Sequence, residues 1–280
     1  MDKQIISLRD WFETPPGQYL LAWERAQFDD ALADIFGYHA LQVGLPELPF
    51  LQANRMPHRW AASAPCGFDT ATGTDLTKDA GAAVLATDYS ALPFPANSLD
   101  LVVLPHALEL GADPHATLRE VERVLVPEGR VVICGLNPAS LWGLRQRRAH
   151  LYRRLGFGKL FLPRGGEFIG YWRLRDWLRL LNFEVETGRF GCYRPSVDSE
   201  KWLRRLDWMD RAGERCWPIF GAVYFLVAVK RVHGMRLIGP AWKSAPARQA
   251  STVPIAGRTN GAVAWPLQAP SYQPPVSSHR

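Results

Sequence analysis

The sequence has no CxxC pair and no apolar stretch long enough to cross a bilayer. Its four cysteines, Cys66, Cys134, Cys192 and Cys216, stand far apart and offer no clustered ligands for a structural zinc, so no metal site is expected. A disulfide framework suits short secreted chains, and this one has 280 residues and opens on the charged "MDKQIISLRD". The longest apolar run, "FGAVYFLVAV" at 220–229, is about half of the ~20 residues a membrane span needs. A cytoplasmic protein is the expectation that follows.

Acid is missing from the end of the chain. After Glu214 there is no Asp or Glu, while eight Lys or Arg occur. Without those eight, 25 basic residues face 27 acids, so the net charge of +6 is a local feature. A second basic concentration runs from Leu141 to Leu180, with ten Lys or Arg against Glu167 and Asp176. A hydrophobic content of 47% with 21% charged residues is that of an ordinary globular chain with a sizeable core.

Helices and strands alternate along what is present. Residues 7–36 carry Leu20, Leu21, Trp23, Phe28, Leu32, Ile35 and Phe36 at mostly helical spacing, with "TPPG" interrupting early and Gly37 at the end. Buried strands are expected at about 39–44, 82–87, 99–105 and 130–136, with a weaker one at 58–64. "DPHATLREVERVLVPEG" reads as a helix capped by Asp113 and Pro114 and closed by Gly129. Further on, "RLRDWLRLL" and "SEKWLRRLDWMDRAGE" read as helices, and "NFEVETGRF" and "AVYFLVAVKR" as strands. The last 48 residues, 233–280, are rich in Pro, Ser, Ala and Gln and are expected to form a disordered basic tail.

The block at 86–138 resembles the class I S-adenosylmethionine (SAM) dependent methyltransferases, in particular the type 11 group. The matching residues are Asp88, then Leu92, Pro93 and Phe94, then Ser98 and Asp100, then Leu108 and Glu109, and the run Leu118 to Val121 with Arg123, Val124, Leu125, Pro127 and Gly129. The resemblance implies a Rossmann-like α/β fold: a seven-stranded, mostly parallel sheet with helices on both faces. It divides the chain into an N-terminal helical cap at 1–36, the methyltransferase-like domain at 37–232 with a basic lid insert at about 138–172, and the tail at 233–280. SAM is the implied cofactor.

By the same resemblance, Asp88 accepts a hydrogen bond from the adenine amino group, with Tyr89 beside it. Leu104, Pro105 and His106 lie beneath the donor methyl, and His106 is the candidate general base because an imidazole titrates near neutrality. Gln42 and Gly44 border the methionine end. Here the sequence departs from the family: "LQVGLPEL" has Gln42 in place of an acid, and keeps Gly44 but has Pro46 and Leu48 where two more glycines are usual. Proline and leucine are poor residues for bringing backbone close to a ligand. The second strand ends at Ser63 without the usual ribose-binding acid. Trp11, Tyr19 and Trp23 are expected to close over the cofactor.

Two functions stay open: an active methyltransferase on an unidentified substrate, and a non-catalytic binding module that keeps the fold and a basic surface. A nicotinamide dehydrogenase is excluded by the lack of GxGxxG. A small-molecule substrate is expected ahead of a macromolecule, and no stable partner is predicted. Arginines alternating with aromatics in the lid could also meet nucleic acid or an anionic membrane surface. Glu120 and Arg123 are read as structural, and Asn137 and Pro138 as shaping the lid entrance.

Overall fold

Thr14 starts the first helix, α1 (Pro15–Ala33): its side chain accepts from Gly17 N, and Pro15 takes the first position, where a missing N–H is harmless. "TPPG" is therefore a helix start and not an interruption. Leu20, Glu24, Phe28 and Leu32 recur every four residues and form the buried stripe. Asn54 closes the far end by donating to the carbonyls of Leu32 and Ile35, both at 3.0 Å.

A computed structural model describes residues 11–64, 83–154, 168–197 and 199–232. The expected tail, the lid between 155 and 167 and the Gly- and Thr-rich stretch after Ala64 lie outside the described residues. After α1 come β1 (His39–Val43), β2 (His58–Ser63), β3 (Ala83–Ala86) and β4 (Leu99–Pro105), then α2 (Ala107–Leu110), α3 (Pro114–Val124) and β5 (Leu125–Leu136). They are followed by α4 (Leu141–Arg154), α5 (Tyr171–Leu180), β6 (Phe183–Gly191), α6 (Glu200–Arg205), α7 (Trp208–Cys216), a 3-10 turn at Pro218–Phe220, and β7 (Val223–Lys230).

The sheet has seven strands in the order β3-β2-β1-β4-β5-β7-β6. Every neighbouring pair from β3 to β5 is parallel, and β7 runs antiparallel between β5 and β6. Successive side chains point to opposite faces. Leu101, Val103, Val132 and Phe225 face α1, whereas Val102, Leu104, Val131 and Leu226 pack with Leu118 and Val121 of α3 and Leu174 and Leu178 of α5. The strand order reverses between β1 and β4, and in open sheets of this kind the carboxyl ends beside that reversal form the ligand crevice. Among the described residues, no helix is long and apolar enough to cross a membrane.

Three details differ from the pattern in the sequence. Gly129 does not close α3; β5 already begins at Leu125, and a register shift against β4 accommodates the intervening residues. "SEKWLRRLDWMDRAGE" is two short helices, because the chain breaks at Leu206 and Asp207. The start of the lid is helical, as α4, with Gly143 N on Ser140 Oγ at 3.1 Å and Asn137 holding the segment before it.

Candidate functional site

The turn after β1 is organised by a side chain. Gln42 is buried, and its amide nitrogen donates to the carbonyls of Gly44, Leu45 and Leu48 at 3.1, 2.9 and 2.8 Å. Its oxygen accepts from Phe50 N at 3.1 Å. Gly44 and Leu45 both have positive φ, which turns those carbonyls inward. Residues 44–57 form turns without a helix, so no helix N-terminus follows the glycine turn. Gln42 is thus fully used within the protein, which corrects its assignment as a cofactor contact. Gly44 sits against Ala107, where a Cβ would lie 3.4 Å from the alanine methyl.

One strand over, the end of β4 carries a buried ionic cluster. His106 adopts φ 52°, an uncommon left-handed conformation for a side-chain-bearing residue, and is 1% exposed. Its Nε2 meets Glu24 Oε1 at 2.8 Å, and its Nδ1 meets Glu109 Oε2 at 3.0 Å. The second oxygen of Glu109 accepts from Leu136 N at 2.5 Å, and the Cys134 thiol donates to Glu24 Oε1 at 3.2 Å. Burial opposes the imidazolium, yet the Glu24 charge and the hydrogen bonds to both carboxylates outweigh it and push the His106 pKa up to about 10. Burial pushes Glu109 up against the pull of His106, and it also keeps the Cys134 thiol protonated.

This arrangement corrects the general-base assignment of His106. Both ring nitrogens are spent on carboxylates and the Phe12 ring lies 5.9 Å away, so neither nitrogen is open to a substrate. Glu24, His106 and Cys134 bring three metal-ligand atom types within 4.8 Å of one another. In the described structure those atoms are hydrogen-bonded to each other. Glu24 was missed in the sequence, and Glu109 was named there as part of the family pattern without a role. The signal for Glu24 was its place on the apolar stripe of α1, between Leu20 and Phe28.

At the end of β3, Asp88 is exposed, and Oδ1 accepts from Ser90 N at 3.0 Å. That hydrogen bond holds its carboxyl below the usual range. Tyr89 is buried close to Gly111, and Leu104 is wholly buried on the α3 face of β4. Glu120 of α3 accepts from Leu92 N at 2.8 Å, and Arg123 reaches the carbonyls of Leu92 and Phe94, so this pair pins the "LPF" turn beside Asp88. The structural reading of Glu120 and Arg123 stands on those bonds. Asn137 is structural too: it donates to the carbonyls of Ile219 and Gly221.

The N-terminal aromatics pack against other parts of the protein at this end of the sheet. Trp11 packs edge-on against Trp142, Tyr19 donates to Asp210 at 2.5 Å beneath Arg194, and Trp23 lies on Gly191. The side of α1 that faces the β1 turn instead presents Gln18, Leu21, Ala22 and Arg25. Together with Phe12, Glu13, Leu45, Glu47 and Leu48 these line a cleft of about 500 Å³.

The fold, and the stretch from β2 to β5 that contains the Asp88 turn, are where known proteins match this chain. A pattern described as a methyltransferase domain matches residues 62–133, from β2 to β5. A relative of Escherichia coli K12, the uncharacterized protein YafS, is 33% identical over 233 residues, covering 81% of this chain and 82% of that one. The chain belongs to the class I SAM-dependent methyltransferase family, type 11 group. Within that family, a malonyl-[acyl-carrier protein] O-methyltransferase of Halorhodospira halophila is 39% identical over 61 residues, 22% of this chain and 21% of its own. The crystal structure of a SAM-dependent methyltransferase from Thermotoga maritima superposes with a TM-score of 0.53 at 14% identity, over 80% of this chain and 94% of that one. The latter likeness is one of fold.

The family's cofactor can be set against these residues. An exposed, ionised carboxylate at the end of β3 suits the donor edge of adenine. The Gln42-bound turn offers no main-chain cradle, and the end of β2 has no acid. The cleft beside that turn has a cation, Arg25, and two anions, Glu13 and Glu47, which match the carboxylate and ammonium of an amino-acid end. Adenine and amino-acid ends therefore have complementary groups, although the second set differs from the family's.

Proposed function

We propose that the protein is a cytoplasmic SAM-dependent methyltransferase that acts on a small-molecule acceptor. The observation that carries this reading is Asp88, exposed at the carboxyl end of β3 in a turn clamped by Glu120 and Arg123. Asp88 would accept from adenine, and Arg25 with Glu13 or Glu47 would hold the amino-acid end in the cleft. When bound, SAM supplies a methyl group on a sulfonium, which needs little beyond a well-placed nucleophile. His106 does not touch reacting atoms. It is a positioning residue that fixes the β4 end through Glu24 and Glu109 and so holds one wall of the site.

A calorimetric titration with S-adenosylhomocysteine tests the reading. Micromolar binding is expected, weakened on the order of tenfold by Asp88→Ala, the scale of one hydrogen bond to a charged group. Arg25→Ala should weaken binding similarly. Absence of heat with the wild-type protein, together with an unmoved melting temperature, would overturn it. The closed Gln42 turn would then favour the second reading, a binding module that keeps the fold and has lost the cofactor.

A further inference from the structure

The active end of the sheet carries a second surface that the cofactor reading does not use. Leu141 and Leu144 on α4 are 50% and 54% exposed, and Trp217, Ile219 and Phe220 ahead of β7 are 48%, 44% and 53% exposed. Exposed aliphatic and aromatic side chains in such number mark a contact surface more often than chance. They belong to one rigid ledge. Asn137 Nδ2 donates to Ile219 O at 2.7 Å, Trp142 Nε1 to Arg194 O at 2.7 Å, and the Arg145 guanidinium to Ser196 O. These bonds stitch the start of α4 to the β6–β7 connection.

The charge on the α4 side of the ledge has one sign. Trp142, Gly143 and Gln146 face inward on α4, so Leu141 and Leu144 share the outer side with Arg145, Arg147 and Arg148. No acid occurs anywhere in the sequence of that helix. In the β6–β7 connection, Glu200 is ion-paired with Arg204, and Asp207 and Asp210 are both paired with Arg194. An apolar strip bordered on the α4 side by three arginines complements the headgroup region of an anionic bilayer. Three of the five side chains, Leu141, Leu144 and Ile219, have no flat face on which a base could stack, whereas all five can enter the acyl boundary, which favours lipid over nucleic acid.

We propose that this ledge seats the carboxyl end of the sheet on an anionic membrane surface. The five apolar side chains enter the headgroup–acyl boundary, and the α4 arginines lie against lipid phosphates. The inference does not depend on SAM binding. It makes the catalytic end of the molecule the one that faces the bilayer.

Co-sedimentation of the full chain with vesicles tests it, using phosphatidylcholine alone and phosphatidylcholine with phosphatidylglycerol. Binding to the anionic vesicles is expected, with little to the neutral ones. The variant carrying Leu141→Ser, Leu144→Ser, Ile219→Ser and Phe220→Ser should bind roughly tenfold or more weakly, since each apolar group it loses would have been buried in lipid. Its circular dichroism and melting temperature check that it folds. Arg147→Glu, a single surface change, should weaken binding in the same direction and serves if the quadruple variant does not fold. No binding to anionic vesicles overturns the proposal. So does wild-type binding by the quadruple variant with release of both proteins by salt, which would mark the basic residues as a general polyanion site, open to nucleic acid as well. If the quadruple variant does not fold, undiminished binding by Arg147→Glu overturns it.

Discussion

The turns after β1 and after β3 stand two strands apart on the same end of one sheet, and they treat a ligand in opposite ways. After β3, a carboxylate stands in solvent bonded locally to Ser90, in a turn clamped from behind by Glu120 and Arg123. After β1, the polar groups that would meet a ligand are turned inward onto Gln42. A side-chain contact survives substitution of its surroundings, because one residue carries it. A main-chain cradle depends on several residues at once, so Pro46 and Leu48 remove it together. The cleft next to the closed turn carries Arg25 and Glu47, the side chains to which the proposed function gives the amino-acid end.

The strongest way to break this comparison lies next to the β1 turn, at the cluster around His106 at the end of β4. His106→Ala would leave Glu24 and Glu109 buried and facing each other without a cation, and should cost about 3–5 kcal/mol in urea unfolding at neutral pH. The pH dependence has a fixed sign. His106 is raised from 6.5 to about 10, so its contribution is complete below pH 6.5 and is lost as pH rises toward 10. Glu109 is also raised, from 4.5, so it adds a loss in the same direction that begins above that value. Unfolding free energies measured from pH 6.5 to 10 should fall in the wild type and stay flatter in a His106→Gln protein.

Gln42→Glu sharpens the comparison further, because it restores the family's acid. In this turn a carboxylate would face three carbonyl oxygens to which it cannot donate. A loss of about 2–3 kcal/mol is expected from the stranded buried groups, with no gain in S-adenosylhomocysteine affinity. Unchanged stability would show that the turn does not depend on Gln42. Asp88→Ala should do the reverse: weaker cofactor binding with an unchanged melting temperature.

The smallest effect concerns the clip behind Asp88. Glu120→Gln should lower stability by about 0.5–1 kcal/mol, as partly exposed ion pairs do. Its carboxyl is held below 4.5, chiefly by the hydrogen bond from Arg123, so the wild-type advantage is present above that pH and disappears as pH falls through the lowered value. Acid titration of the two proteins should converge.

Much of this was legible in the sequence where local pattern and fold agree. Asp113 and Pro114 start α3 as their residue types require, and the β-branched run at 130–136 became the core of β5. Asp88 could be placed because the "LPF" turn follows it at fixed spacing. Long-range partners left weaker traces. Glu24 reads as one more charged residue in a helix until His106, 82 positions later, is seen beside it. The inward turn at Gln42 depends on carbonyl directions that no residue type announces, and the break between α6 and α7 falls in a stretch with continuous helical spacing. Gly129 resembles a helix stop but lies in a register shift that only the pairing with β4 reveals.

Hydrogen–deuterium exchange with and without saturating S-adenosylhomocysteine tests the central claim most directly, because it reads both turns in one experiment. The account predicts slowed exchange in residues 87–92 and in the 18–25 segment of α1, with the already bonded 44–50 turn little changed. Protection centred on 44–50 with none at 87–92, or no protection anywhere, would contradict it.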